Sequence, residues 1–320
     1  MTDRFDGIQT FLQVVESGSL TLAAERLNLT RSAVGKALAR LEARLGARLL
    51  QRTTRSQNLT AEGQAYYEHC LRAQAELELA ESGLESGRRE PRGRLRASLP
   101  LAFGHHHAAP ALLGLIEHYP DLQVDISISD RAVDLVQEGY DIAVRIGALP
   151  DSDRLVARRL GEQTMLLSAA PAYLARFGRP ASVAALAQHR GIDYCGPGRS
   201  QRWELRDPQG RLHDVHLPWH VRLDDLQAAA DAAIGGAGLA WLPNWLLARY
   251  VASGQLEQVL ADYSASPMPI HVLWPRARHM PAKTRCAVDA LIAAMPACME
   301  ECRVRPAPAA RQRKTRGSHP

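Results

Sequence analysis

The chain has 320 residues, 46% of them hydrophobic, and a formal net charge of +5. That length and apolar content can fill two or three cores, and no apolar run approaches the roughly 20 residues that span a bilayer. Six cations and no acid follow Cys302 (Arg303, Arg305, Arg311, Arg313, Lys314, Arg316); subtracting them from +5 leaves −1, so the basic character belongs to the tail. The acidic start MTDRFDG lacks a secretory signal, and Cys70, Cys195, Cys286, Cys298 and Cys302 lack zinc-type spacing. Reduced thiols and a cytoplasmic location are therefore expected, with no membrane partner.

Phe5, Ile8, Phe11, Leu12 and Val15 recur at helical spacing and predict a first amphipathic helix. Residues 20–40, LTLAAERLNLTRSAVGKALAR, predict two short helices joined by a tight turn. Leu22 and Leu27 are expected on one side of the first of these, with Ala23 and Ala24 leaving room for a close crossing. Asn28 takes the left-handed turn and Leu29 plugs the corner. Thr30 or Ser32 caps the next helix, where Val34, Ala37, Leu38 and Leu41 form the buried side. The opposite side carries Arg31, Ser32, Gly35, Lys36 and Arg40, residues that suit entry into a major groove. Between residues 26 and 55 eight cations face a single acid, Glu42. Residues 47–60, ARLLQRTTRSQNLT, predict a two-stranded wing that brings Arg52, Thr53, Thr54 and Arg55 against phosphates. The DNA-contact set is thus Thr30, Arg31, Ser32, Gly35, Lys36, Arg40 and the four wing residues.

Over FLQVVESGSLTLAAERLNLTRSAVGKALARLEARLGARLLQRTTRSQNLTAEG, the chain resembles LysR-type transcriptional regulators, and the resemblance extends over residues 1 to about 300. Where members often carry a hydroxyl residue in the middle of the recognition helix, this chain has Gly35. The resemblance implies a winged helix-turn-helix, a linker helix that dimerises, and a hinged sensor for a small molecule. The implied partners are operator DNA, a small-molecule effector, a second copy of the chain and RNA polymerase.

From Thr60 a long helix is expected through Gln64, Tyr67, Leu71, Leu77 and Leu84, its apolar positions sparse, as in a helix that pairs with another copy. Pairing of dimers into a tetramer stays open. Residues 86–93, SGRREPRG, mark a boundary. Beyond it RLRASLP, LQVDISI, YDIAVRIG and LVARRL read as strands, with helices over 108–118 and 131–138, giving an α/β unit with a mostly parallel sheet. A second unit starts near Thr164 with TMLLSA, followed by a helix after Pro171, strands around Ile192 and Trp203 and at HVRL, a helix over 224–234, and GLAWLP. MPIHVLWP and a helix over 283–295 return to the first unit. The expected fold is α/β overall: a winged helix-turn-helix over 1–60, a linker helix over 61–91, and a sensor over 92–300. That sensor has two lobes, the second about 164–266, resembles type 2 periplasmic binding proteins, and is followed by a basic tail over 301–320.

An effector belongs between the lobes, at the C-terminal ends of strands. The turn holding Pro100, Leu101, Phe103 and Gly104 leads from a strand into a helix whose free N–H groups suit an acid. Arg145 suits the same acid, or a fixed ion pair with Asp130 or Asp141. Tyr194 and Trp203 are aromatic walls or core residues. Adjacent His105, His106 and His107 lack metal-ligand spacing and read as a solvated trio. No cofactor, metal site or catalytic residue is expected: phosphate loop, dinucleotide fingerprint and nucleophile elbow are all missing from the sequence. A solute-binding protein explains residues 94–295 and leaves the winged helix unexplained.

Overall fold

A computed structural model describes residues 7–52, 57–84, 90–195, 203–215, 217–263, 265–277 and 279–301. Phe5, Thr53, Thr54, Arg55, the boundary residues 86–89 and the tail from Cys302 lie outside them. Gly7 and Gly18, both with positive φ, bracket α1 (Ile8–Ser17). Ser19 caps α2 (Leu20–Arg26) by accepting from the Thr21 N–H, and Asn28 turns the chain at φ 52°. Thr30, rather than Ser32, caps α3 (Arg31–Leu45), its Oγ1 accepting from the Ala33 N–H at 3.1 Å.

The α1–α3 core differs from expectation at two leucines. Ala23 and Ala24 are the inward residues of α2, whereas Leu22 is 49% and Leu29 48% exposed. A two-turn helix has one inward face, and the alanine pair fills it. The corner is closed by backbone, since the Leu29 N–H donates to the Ala24 carbonyl at 2.9 Å, so no plug is needed. Phe11, Val14, Val34, Leu38 and Leu41 are almost fully buried, each such side chain contributing about 1.5–3 kcal/mol.

The wing is β1 (Leu50–Arg52) paired antiparallel with β2 (Gln57–Leu59). Glu42, the one acid among the cations, is spent inward: its Oε1 accepts from the Leu49 and Leu50 N–H groups at 2.8 and 3.2 Å and ties the wing to α3. Thr60 then starts α4 (Ala61–Leu84) by accepting from the Gly63 N–H at 2.9 Å. At 24 residues α4 is about 36 Å long. Cys70 and Leu71 near its middle join the first core, and Leu77 beyond them is 51% exposed.

The rest forms two sheets on one plan. The first has the order β4 (Leu122–Ile128), β3 (Gly93–Leu99), β5 (Ile142–Ile146), β14 (Met268–Pro275), β6 (Leu155–Gln163). The second has the order β11 (Trp219–Leu223), β8 (Gly191–Tyr194), β12 (Leu239–Pro243), β7 (Met165–Ala169), β13 (Glu257–Gln258). In each, four strands run in one direction and a single strand, β14 or β7, runs against its two neighbours, so each sheet is mostly parallel with one reversed strand. Strand direction reverses because the chain crosses between lobes at β6–β7 and again before β14. At the first crossing the Trp245 indole N–H donates to buried Gln163 at 2.8 Å.

In the first lobe, α5 (Leu101–Phe103), a π-turn (Gly104–Ala108) and α6 (Ala109–His118) form one continuous helical run. Residues 131–138 form a turn, not a helix. Asp134 caps that turn by accepting from the Gln137 N–H at 2.9 Å, Glu138 folds back onto Arg131, and Gly139 at φ 70° ends it. The second lobe adds α7 (Pro171–Phe177), a hairpin of β9 (Trp203–Arg206) and β10 (Leu212–Val215), α8 (Leu226–Ile234) and the unexpected α9 (Asn244–Ala252). The terminal helix α10 (Ala282–Glu301) packs back on α6 and β3. Arg94 at the root of β3 pairs with Glu16 of α1 and Asp125 of β4, linking the first lobe to the helical unit.

Candidate DNA-reading face and interlobe cleft

The outer side of α3 is polar and open. Arg31, Ser32, Lys36 and Arg40 are exposed, and the space where a Gly35 side chain would stand is empty to 4 Å. Ala33 and Ala39 keep the surface low, so that with Lys36 and Arg40 they line a shallow concavity. Thr30 spends its hydroxyl oxygen on the cap. Arg52 ends β1 at the base of the wing. A helix with small residues between cations, its N-terminus unobstructed, suits close approach to a polyanion.

The cleft gathers residues from the C-terminal ends of parallel strands in both lobes. Pro100 and Leu101 follow β3, and the Leu101 N–H donates to Asp130 Oδ1 at 2.8 Å. Asp130 follows β4, and its Oδ2 accepts from the Tyr194 hydroxyl of β8 at 3.1 Å, across the lobes. Burial first, and then the Asp130 carboxylate, raise the Tyr194 phenol above its ordinary value, so it remains a donor. The helix start is therefore met by the chain's own carboxylate. Asp130 is absent from the expected site set because no local pattern announces a contact formed 64 residues apart.

Arg145 stands near the end of β5 and donates to the Val144 carbonyl at 2.7 Å and Ser98 Oγ at 3.1 Å. Neither expected ion pair forms. Asp130 is held as above, and Asp141 accepts from the Arg96 N–H and pairs with Lys283 at 3.2 Å. Burial pushes the Arg145 guanidinium below its ordinary value.

Two expected cleft residues, Phe103 and Gly104, are packing residues instead, and of the two readings of Trp203 the core one holds. Phe103 is 1% exposed, edge-on to Trp245 with centroids 5.8 Å apart. Trp203 is 4% exposed and stacks on Trp241 at 5.8 Å. Gly104 is buried where a Cβ would sit 2.9 Å from that of Leu99. Of the histidine trio only His105 is exposed; the π-turn carries His106 and His107 into the lobe junction. Among the described residues no cluster has metal-ligand geometry, and no helix is long and apolar enough to cross a membrane.

Residues 5–64 match the bacterial regulatory helix-turn-helix proteins of the LysR family, and residues 88–296 match the LysR substrate binding domain. An HTH-type transcriptional repressor of Pseudomonas aeruginosa is 34% identical over 290 residues, covering 90% of either chain. The HTH-type transcriptional activator AaeR of Escherichia coli is 30% identical, covering 90% of this chain and 93% of its own. Among solved structures, the LysR-type regulator CrgA of Neisseria meningitidis superposes at TM-score 0.59 with 30% identity, over 90% of this chain and 98% of that one. The Vibrio cholerae virulence activator AphB superposes at 0.60 with 28% identity, over 91% and 99%. With both family domains in order and such relatives along nine-tenths of its length, the chain belongs to the LysR-type transcriptional regulators, DNA-binding proteins that respond to small-molecule effectors and form oligomers.

Proposed function

We propose that α3 and the wing meet operator DNA through Arg31, Ser32, Gly35, Lys36, Arg40, Arg52, Thr53, Thr54 and Arg55, with Thr30 setting the helix start. The effector is a small organic anion held between the lobes by Arg145, the Pro100–Leu101 turn and Tyr194. To the units we assign DNA binding over 1–60, dimerisation over 61–91, sensing over 92–300 with the second lobe about 164–266, and a basic tail over 301–320. The protein works in the cytoplasm with RNA polymerase as a partner, and the cleft senses without catalysing.

The single observation behind the anion is Arg145. It is half-buried, its guanidinium is spent on Ser98 and its own strand, and among the described residues no carboxylate pairs with it. A desolvated cation without a counter-ion is costly, and an anion entering the cleft removes that cost. The test is thermal melting in a panel of aliphatic and aromatic carboxylates. An acid that raises the wild-type midpoint loses most of that effect in Arg145→Ala, while operator affinity without acid is unchanged. A shift that survives the substitution makes Arg145 structural.

Dimerisation is assigned to α4, where Leu77 is a large apolar side chain left half exposed on a charged helix. Leu77→Asp is expected to weaken self-association at least about tenfold, since burying one unpaired carboxylate costs more than 1.4 kcal/mol. Sedimentation velocity over a concentration series reads this directly, and an unchanged dimer constant removes Leu77 from the interface.

A further inference from the structure

The π-turn Gly104–Ala108 inserts one extra residue into the helical run of the first lobe and aims His106 at the second lobe. Such bulges recur where a helix serves a function beyond packing. His106 meets two side chains there. Arg249 of α9 lies 2.6 Å from its Nδ1, and Gln227 Oε1 of α8 lies 3.3 Å from its Nε2.

The surrounding hydrogen bonds leave His106 one protonation state. Gln227 donates its amide N–H groups to Asp231 Oδ1 at 2.9 Å and to the Tyr250 hydroxyl at 2.5 Å, so its oxygen is the atom turned to His106. His106 Nε2 must therefore carry the proton and donate. Arg249 can only donate, so Nδ1 must present a lone pair. Both ring nitrogens are engaged across the lobe boundary only while the ring is neutral.

We propose that His106 is an acid-sensitive latch between the lobes: neutral, it bridges α8 and α9 to the first lobe; protonated, it meets Arg249 donor to donor and charge to charge, and the lobes part. The reaction is the uptake of one solvent proton at Nδ1. Burial lowers the ring's proton affinity, Gln227 raises it, and Arg249 and then His105 lower it again, leaving it below that of an ordinary histidine. A folded value below the open-state value means that closure is fully stabilised above about pH 6.5 and lost as the pH falls below it. The facing titratable groups are His105 and His107 on the same run, Asp231 on α8 behind Gln227, and Arg249 and Tyr250 on α9. On α10, packed against the same turn, Lys283 is tied to Asp141 and Cys286 to Tyr119, and Arg285 and Asp289 are exposed. This latch is independent of where the effector binds.

Hydrogen exchange on the full-length protein, corrected for intrinsic rates, tests it at pH 7.5 and 5.5 in peptides covering 101–110, 226–234 and 244–252. In wild type, protection falls on acidification by up to about tenfold, the limit for one proton taken up by the open ring with an ordinary histidine value near 6.5 and refused by the closed one. His106→Gln keeps an acceptor for Arg249 and a donor for Gln227 without titrating. Arg249→Gln is an exposed change whose amide can turn over to accept from a protonated ring. Each variant is expected to lose less than about twofold, the remainder of ordinary surface titration. Unchanged protection in wild type, or an equal acid loss in both variants, overturns the latch; if His106→Gln fails to fold, Arg249→Gln carries the test alone.

Discussion

Gly63→Ala is expected to destabilise the DNA-binding unit by about 3 kcal/mol and to abolish operator binding near its melting range. Alanine ordinarily gains about 1 kcal/mol over glycine inside a helix. Here the sign reverses, because a Cβ on Gly63 would sit 1.9 Å from the Leu49 carbonyl oxygen, a backbone atom that no rotamer change can move. That strand is fixed from several sides: the Thr60 N–H donates to the Leu49 carbonyl, the Thr60 hydroxyl to the Arg48 carbonyl, and Glu42 accepts from Leu49 and Leu50. Either α4 lifts away and breaks the Thr60 cap, or the wing shifts register. Gly35→Ala is the control, with open space around the new methyl, and should leave denaturant stability unchanged or raise it by up to about 1 kcal/mol. Chemical denaturation of both variants separates the two cases; a Gly63→Ala midpoint equal to wild type removes the close approach.

What was legible in the sequence follows from range. Asn28 in the left-handed turn, Thr30 at the cap and Val34, Leu38 and Leu41 inward are decided within four residues along the chain. The wing, the long helix and the two-lobed plan were legible because turn residues and period changes bound them. Leu22 and Leu29 were misplaced because periodicity ranks residues by type, and two alanines at a close crossing outcompete larger neighbours for the interior. Trp203 and Phe103 show the matching limit for aromatics, where a cleft wall and a core residue have the same local pattern. Residues 131–138 carry helical composition, yet Asp134 and Glu138 satisfy backbone and cation within a single turn. The Asp130–Tyr194 contact, like the His106 junction, needs two lobes brought together, and no spacing within either lobe encodes it.

Replacing both Arg31 and Lys36 by Ala is expected to weaken operator binding by roughly a hundredfold while leaving the sensor's melting unchanged. Both side chains are exposed on the N-terminal half of α3, at its first and sixth positions, the part of a recognition helix that reaches base edges first. Removing a bidentate contact to a base costs about 1–3 kcal/mol and relaxes preference at one position, whereas removing a phosphate contact weakens all sequences alike and lowers the salt slope by about one. The single variants, titrated in gel shift at several salt concentrations against the operator and a scrambled duplex, therefore assign each residue. Arg31, nearer the helix start, is expected to show the sequence-dependent loss, and Lys36, a point charge beside the low Ala33–Ala39 surface, the salt-dependent one. Arg211→Ala, an equal loss of charge on an exposed hairpin of the second lobe, should leave affinity within about twofold, because charges more than a Debye length from the duplex are screened. If Arg211→Ala weakens binding as much as Lys36→Ala, net charge rather than the face of α3 governs DNA affinity, and the recognition-helix assignment fails.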